Sequence, residues 1–145
     1  MTYVVANGTA AYNRAKYKPH DKTIIRIARN THNAAANNVA TGSIVNMITI
    51  PAESILLNVA TEIVVDSAVS GDQFDVGFVG GVQFGSDLES NQVAGVVAIP
   101  ENLVNPWFIK AANIITLTAN TETMDAGTIQ LTATWVELDS FGAAG

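Results

Sequence analysis

Alternating apolar and polar residues mark the middle of the chain, between positions 48 and 79. In the first run the apolar side chains fall on every second residue, at Leu57, Val59, Ile63 and Val65. A period of two is typical of a β-strand that buries one face and leaves the other in water. We therefore predict a strand in which these four residues point inward, with Thr61 as the one polar residue of the buried face.

A second alternating run follows directly, with Phe74, Val76 and Phe78 inward and Asp75 outward. The residues between the two runs, 67–72, are mostly small or polar, a composition that is typical of hairpin turns. We therefore expect the two strands to form a hairpin. The strand patterns at residues 114–119 and 128–138, with the turn residues 124–127 between them, predict a second hairpin near the end of the chain.

Short strand patterns also occur at residues 23–29, 43–50 and 93–99, and residues 107–109 (WFI) are expected to pack on the edge of the core. No stretch shows the apolar spacing of a long amphipathic helix. Residues 30–42 are compatible with a loop or a short helix, and residues 80–92 are expected to form a long polar loop that carries Phe84. About eight short strands with turn residues between them predict an all-β fold, an antiparallel two-sheet sandwich of jelly-roll type.

The ends of the chain differ from its middle in periodicity and in charge. Residues 1–22 show almost no periodicity and are expected to form an extended N-terminal arm, followed by the sandwich domain at residues 23–145. Six of the seven basic residues lie before position 30, where Asp21 is the only acid, whereas the rest of the chain has twelve acids and the single base Lys110. This separation indicates a basic binding arm on an acidic body.

The arm combines basic side chains with tyrosines, a residue type that is enriched in binding surfaces. Its candidate partner-binding residues are Tyr3, Tyr12, Arg14, Lys16, Tyr17, Lys18 and Lys22. An acidic protein surface fits these residues better than nucleic acid does, because the acidic body repels phosphates. We therefore expect a protein partner and no nucleic acid.

Residues able to support catalysis or metal binding are scarce. Cysteine is absent, and the two histidines, His20 and His32, are too few for a transition-metal site. No serine lies in a nucleophile-elbow motif, so we expect neither an enzyme nor a cofactor. Asp66, Asp72 and Asp75 place oxygen ligands near one turn, and they are compatible with Ca²⁺ or with hydrogen bonds to their own backbone.

Charged residues make up 14% of the chain, against about 25% in ordinary domains. A surface with so few charges favours contact with further copies of the chain or with a larger assembly. No apolar run reaches the roughly 18 residues of a transmembrane helix, and the N-terminus lacks the pattern of a secretory signal. We therefore expect no membrane segment and no export.

Three segments together have a recognisable layout. Residues 48–55 (ITIPAESI) place a proline corner before a strand, residues 72–77 (DQFDVG) form an acidic strand, and residues 125–129 (DAGTI) open the strand that contains Trp135 and Val136. Over about residues 43–138 the chain resembles the small jelly-roll virion proteins of tailed bacteriophages, the capsid decoration or cement proteins. The resemblance implies a homotrimer, made in the host cytoplasm, that binds the major capsid protein at capsomer junctions on the capsid surface and reinforces the lattice without catalysis.

Two other functions are compatible with the same sequence. A structural protein of the phage tail or fibre is a variant of the same hypothesis. A carbohydrate-binding sandwich is the alternative from a different class, and it would use Phe84, Trp107 or Trp135 as a platform for a sugar ring.

Overall fold

The computed structural model describes residues 24–68, 72–92, 94–95, 97–98 and 107–138. Residues Ile25–Glu137 form one compact unit, and the sheets described below belong to it. Within these ranges the chain contains no helix, so none is long and apolar enough to cross a membrane.

Nine strands lie within the described residues. In chain order they are β1 (Ile24–Asn33), β2 (Ile44–Ile50), β3 (Ser54–Val65), β4 (Gln73–Phe78), β5 (Gly85–Glu89), β6 (Val97–Ala98), β7 (Trp107–Ile109), β8 (Asn113–Ala119) and β9 (Thr128–Glu137). Most of the predicted strands are present, and β5 is an addition within the predicted polar loop.

The strands form two antiparallel sheets. In the first sheet β9 lies between β1 and β3, and the short strands β6 and β7 both pair with the other edge of β3. The second sheet has the order β2, β8, β4 and β5. Strands from the two ends of the chain are therefore neighbours in each sheet, which is the strand order of a jelly roll. The predicted fold class, an antiparallel two-sheet sandwich, is confirmed.

Both predicted hairpins are wrong, because the strands concerned lie in opposite sheets. β3 belongs to the first sheet and β4 to the second, and the same holds for β9 and β8. The segment after β3 therefore carries the chain across the sandwich, where Ser67 N–H donates to the Ser90 carbonyl at 3.2 Å. The same turn residues occur in a hairpin and in a connection between sheets. The partner of β3 is decided by the longer ladder, which is the one with β9.

The inward face of β3 differs from the prediction at both ends. The register between β3 and β9 shifts between Leu56 and Asn58 and again between Ile63 and Val65. Each shift is a β-bulge, in which one extra residue reverses the alternation of side chains. Leu56 is therefore buried where Leu57 was expected, and Leu57 and Val65 are exposed. The prediction is confirmed for the middle of the strand, where Val59, Thr61 and Ile63 are buried.

Residues 30–42 contain no helix. β1 continues to Asn33, and a turn follows that returns the chain toward β2. Val39 and Met124 exchange two backbone hydrogen bonds of 2.9 Å, which fixes this segment against the connection between β8 and β9. His32 is buried, and its Nε2 atom lies 2.9 Å from the Asn37 carbonyl oxygen, so the imidazole stabilises the turn.

The predicted polar loop at residues 80–92 is partly wrong, because it contains β5 and a core residue. Phe84 is fully buried, and its N–H donates to the Val76 carbonyl at 2.8 Å. Its ring contacts Phe78 of the second sheet and Trp107 of the first, at centroid distances of 4.9 and 5.6 Å. This aromatic cluster joins the two sheets, although the polar neighbours of Phe84 conceal its role in the sequence.

Because of the bulge at Leu57, alanine substitutions of the two neighbouring leucines are expected to lower stability to very different extents. We expect Leu56→Ala to lower the free energy of unfolding by about 2–5 kcal/mol, because it leaves a cavity in the core. Leu57→Ala is expected to cost less than about 1 kcal/mol, because that side chain is 36% exposed. Urea unfolding of both variants measures the difference. If Leu57→Ala is the more damaging change, the register of β3 described here is incorrect.

Candidate functional site

The predicted arm lies outside the described residues. This holds for all seven of its candidate partner-binding residues, Tyr3, Tyr12, Arg14, Lys16, Tyr17, Lys18 and Lys22, and also for His20. The binding role of the arm therefore stays a prediction.

The three aspartates considered as calcium ligands have different surroundings. Asp66 accepts a hydrogen bond from the N–H of Ala68 at 2.7 Å, and Asp75 accepts one from the N–H of Asp87 at 2.9 Å. Asp66 therefore caps its own turn, which is one of the two roles that the sequence left open, whereas Asp75 connects β4 to the neighbouring strand β5. The described part of the chain contains no group of three or more acidic or histidine side chains that could hold a metal ion.

Asp72 is the unusual member of the three, because its side chain is almost completely buried. Its Oδ2 atom has no hydrogen-bond partner among the described residues. Burial raises the pKa of this carboxyl group, and the negative charges of Asp125 and Glu122 raise it further. The backbone carbonyl of Asp72 accepts hydrogen bonds from both the N–H and the hydroxyl of Ser90, each at 3.0 Å, so its backbone is firmly held.

The raised pKa of Asp72 predicts that this residue weakens the fold as pH rises. Below pH 3.8, the usual pKa of aspartic acid, the group is protonated in both the folded and the unfolded states and the penalty is absent. As pH rises from 3.8 to the higher pKa of the folded state, the protein loses stability, because the carboxyl group ionises in the unfolded state while burial keeps it protonated in the folded state. We expect Asp72→Asn to be more stable than wild type at pH 7, with the difference closing as pH falls to 3.8.

Urea unfolding across this pH range measures the effect, and Asp66→Asn controls for the change in net charge at an exposed position. A difference between Asp72→Asn and wild type that is the same at every pH would contradict the role assigned to the carboxyl group.

The loop after β4 folds back over the outward face of the second sheet. Gly80 N–H donates to the hydroxyl of Thr116 at 2.8 Å, and that hydroxyl donates to the Gly77 carbonyl at 3.1 Å. The loop then passes so close to β4 that a Cβ atom on Gly77 would collide with the Gly81 carbonyl. Thr116 is fully buried beneath it. The loop is consequently held in one conformation by glycine contacts and by a buried hydroxyl.

Val79, at the start of this loop, has a strained backbone. Its φ angle is +41°, in the region that β-branched residues rarely adopt. Its N–H donates to the Ile114 carbonyl at 3.2 Å, which fixes the residue against β8. The Val79 side chain is exposed, as is that of Val82 at the other end of the loop. Strain of this kind persists only where surrounding contacts impose it, and it is frequent at functional sites.

The strain at Val79 predicts that a glycine at this position stabilises the protein. Relief of the left-handed conformation contributes about 1–2 kcal/mol, and the greater freedom of unfolded glycine costs about 0.5–1 kcal/mol. We expect Val79→Gly to raise the free energy of unfolding by roughly 0.5–1 kcal/mol. Val82→Gly is the matched control, and we expect it to lower stability by a similar amount because Val82 has no such strain. Equal losses in both variants would exclude the strain.

Two of the three aromatic residues considered for a sugar platform are buried. Phe84 lies in the aromatic cluster, and Trp135 points into the sandwich opposite Leu56. Trp107 is half-buried against Phe78, at a centroid distance of 5.9 Å. A sugar ring needs an open aromatic face, so these residues do not form the predicted platform.

The outward face of the first sheet carries exposed apolar residues at one end. Ile55 of β3 lies opposite Val136 of β9 on one side and Phe108 of β7 on the other. Phe108 is 54% exposed. These three residues form an apolar row across three neighbouring strands, because directly opposed residues of antiparallel strands point to the same face.

β1 extends this row at the edge of the sheet. The side chains of Arg29 and Thr31 contact outward residues of β9, with Arg29 donating to the hydroxyl of Thr132 at 3.3 Å. Ile25 and Ile27 have the same parity on β1, so they lie on the same face, and they are 66% and 69% exposed. We call the resulting patch the apolar end of the first sheet, and it consists of Ile25, Ile27, Ile55, Phe108 and Val136.

Comparisons with known proteins find similarity in structure but not in sequence. No protein-family model matches the chain, and no curated protein sequence matches it. Among solved structures, a chain of the cyanophage Pam1 capsid asymmetric unit matches with a TM-score of 0.62 and 13% identity, over 88% of this chain and 99% of that chain.

Two further phage capsids contain similar chains. A chain of the capsid of Ralstonia phage GP4 matches with a TM-score of 0.61 and 16% identity, over 79% of this chain and 84% of that one. A chain of the acidic stable capsid of Helicobacter pylori bacteriophage KHP30 matches with a TM-score of 0.58 and 10% identity, over 79% and 91%. The chain therefore has a jelly-roll fold that it shares with chains found in phage capsids.

Proposed function

We propose that this chain is a structural protein of a bacteriophage virion, a decoration protein that binds the outside of the capsid and stabilises its lattice. The observation that carries the proposal is the agreement in fold over nearly the whole length of a capsid chain, 99% of it in the case of cyanophage Pam1. Because the match also covers 88% of this chain, the two chains are of similar size. The likeness therefore extends over most of both chains and is not confined to one domain of a much larger subunit.

The chemistry of the described residues supports a structural role over a catalytic one. Within the described ranges, acidic and histidine side chains form no metal-binding group. His32 bonds to the backbone of its own turn, and Asp66 and Asp75 bond to backbone N–H groups. The exposed residues that stand out are apolar, and such residues are typical of a surface that contacts other proteins.

The partners that we propose are the major capsid protein and further copies of the chain, associated as a homotrimer. The basic residues of the arm, among them Arg14, Lys16 and Lys18, bind an acidic surface of the shell in this proposal, and the neighbouring tyrosines add contacts that salt does not screen. A position in the tail or fibre is the variant that the same fold also allows.

Binding to capsids tests the proposal. We expect the purified full-length chain to cosediment with phage capsids from which accessory proteins have been stripped, and to bind more weakly as salt concentration rises, because exposed charges are screened within about 8–10 Å at ordinary ionic strength. A truncation that starts at Thr23 and the triple variant Arg14→Ala, Lys16→Ala, Lys18→Ala are both expected to bind more weakly than wild type.

The controls distinguish the proposed binding to the capsid from the proposed role of the arm. Intact particles are expected to contain the chain in many copies, and tails separated from capsids are expected to lack it. Full-length protein that does not bind capsids contradicts the proposed function. A truncated chain that binds as tightly as wild type contradicts only the role of the arm.

A further inference from the structure

We propose that copies of this chain associate with one another through the apolar end of the first sheet. The inference deepens the proposed function and rests on it, since it names the face through which copies of the chain contact one another. The occupant of the face is a second copy of this chain.

The exposed apolar residues lie next to one another on one face of the sheet. Ile25, Ile27 and Phe108 each expose more than half of their side chains, and Ile55 and Val136 connect them across the sheet. They lie on regular strands of a rigid sheet, so little conformational entropy is lost when a partner covers them. They are also contiguous, whereas single exposed apolar residues are normal on any surface.

The net charge of the chain indicates which partner fits this face. The chain has a net charge of −6, so two copies repel each other wherever their acidic surfaces meet. Of the described strand residues on the outward face of the first sheet, the charged ones are Arg29 and Glu62, one of each sign, and neither belongs to the apolar end. This face is therefore where identical acidic chains meet without repulsion. A partner with a strong charge of one sign would meet one opposite and one like charge on this face, so its net electrostatic gain would be small.

The opposite face of the sandwich combines exposed apolar residues with acidic ones. Asp75 and Asp87 lie beside each other on the second sheet, where Asn120 donates hydrogen bonds to both carboxylates. Ile44 is also exposed on this sheet, to 47%, in the same row of paired residues as Asp75. An apolar residue among acids is poorly suited to contact with another acidic copy, and Ile44 therefore serves as a matched control.

The area of the first sheet's outward face can be compared with the area that a protein interface buries. The first sheet is four strands wide, and β9 is ten residues long. Strands about 4.8 Å apart that rise about 3.3 Å per residue give this face a flat area of about 600 Å², which the relief of the side chains increases. A standard protein interface buries about 800 Å² on each partner. The face is therefore comparable in area to the smaller specific interfaces, with the apolar end buried at one side of the contact and polar residues over the rest.

The experiment measures the oligomeric state of three proteins without any capsid. Light scattering on a sizing column is performed over a range of concentrations for wild type, for the double variant Ile27→Thr, Phe108→Thr, and for the control Ile44→Thr. Threonine keeps the strand propensity and removes apolar area, so all three proteins are expected to fold. We expect wild type and Ile44→Thr to associate, and the double variant to require a concentration roughly 100-fold higher.

Circular dichroism of each variant establishes that it is folded. If the double variant does not fold, the single variant Ile27→Thr replaces it, with an expected increase of roughly tenfold. A monomeric wild type overturns the proposal, and so does a double variant that associates as tightly as wild type. An effect of the same size in Ile44→Thr also overturns it, because the association would then not depend on this face.

The capsid-binding experiment separates this inference from the proposed function. Wild type that binds capsids as a monomer contradicts the association face and leaves the function in place. Wild type that associates through this face but does not bind capsids contradicts the function and leaves the face in place.

Discussion

The antiparallel ladder between β3 and β9 is the constraint on which the rest of the sandwich depends. It pairs Ser54 with Glu137 at one end and Val65 with Thr128 at the other, and it places both strands in the middle of the first sheet. The inward side chains of the ladder, among them Val59 and Leu131, are completely buried. Among the described residues there is no helix, and the second sheet is the layer that covers this face. The outward face of the ladder carries no such layer within the described ranges, and its apolar end is exposed there.

The sequence predicts the fold class well because the alternation of apolar residues is directly visible in it. Phe74 and Val76 are buried as predicted, and so is the middle of β3. The errors lie where backbone geometry departs from a regular strand. No distinctive residue marks the bulge at Leu57, so the alternation of apolar residues does not reveal that the buried leucine is Leu56. The same turn residues serve a hairpin or a crossing between sheets, and only the competition among strands for partners decides between the two.

The proposed binding surfaces are predictable to a smaller extent. The proposal of a basic arm rests on charge alone, whereas the apolar end of the first sheet combines residues from four strands that are distant in sequence. Ile25 and Phe108 share a face because β9 and β3 lie between them, and no local pattern contains that information. The strain at Val79 is likewise a property of the backbone, imposed by the contact of Gly80 with Thr116. The burial of Asp72 also depends on tertiary structure, since aspartate at a turn is ordinarily exposed.

The crossing of the chain between sheets has a kinetic consequence. Ile44 pairs with Thr118, so β2 cannot acquire its neighbour until most of the chain is available. Folds dominated by such distant pairings reach the native state in milliseconds to seconds, far more slowly than helical domains. Throughout that interval the apolar runs of β3 and β9 are open to other molecules, and exposed apolar segments favour aggregation. Copies that have not yet closed the first sheet are therefore the ones most exposed to aggregation.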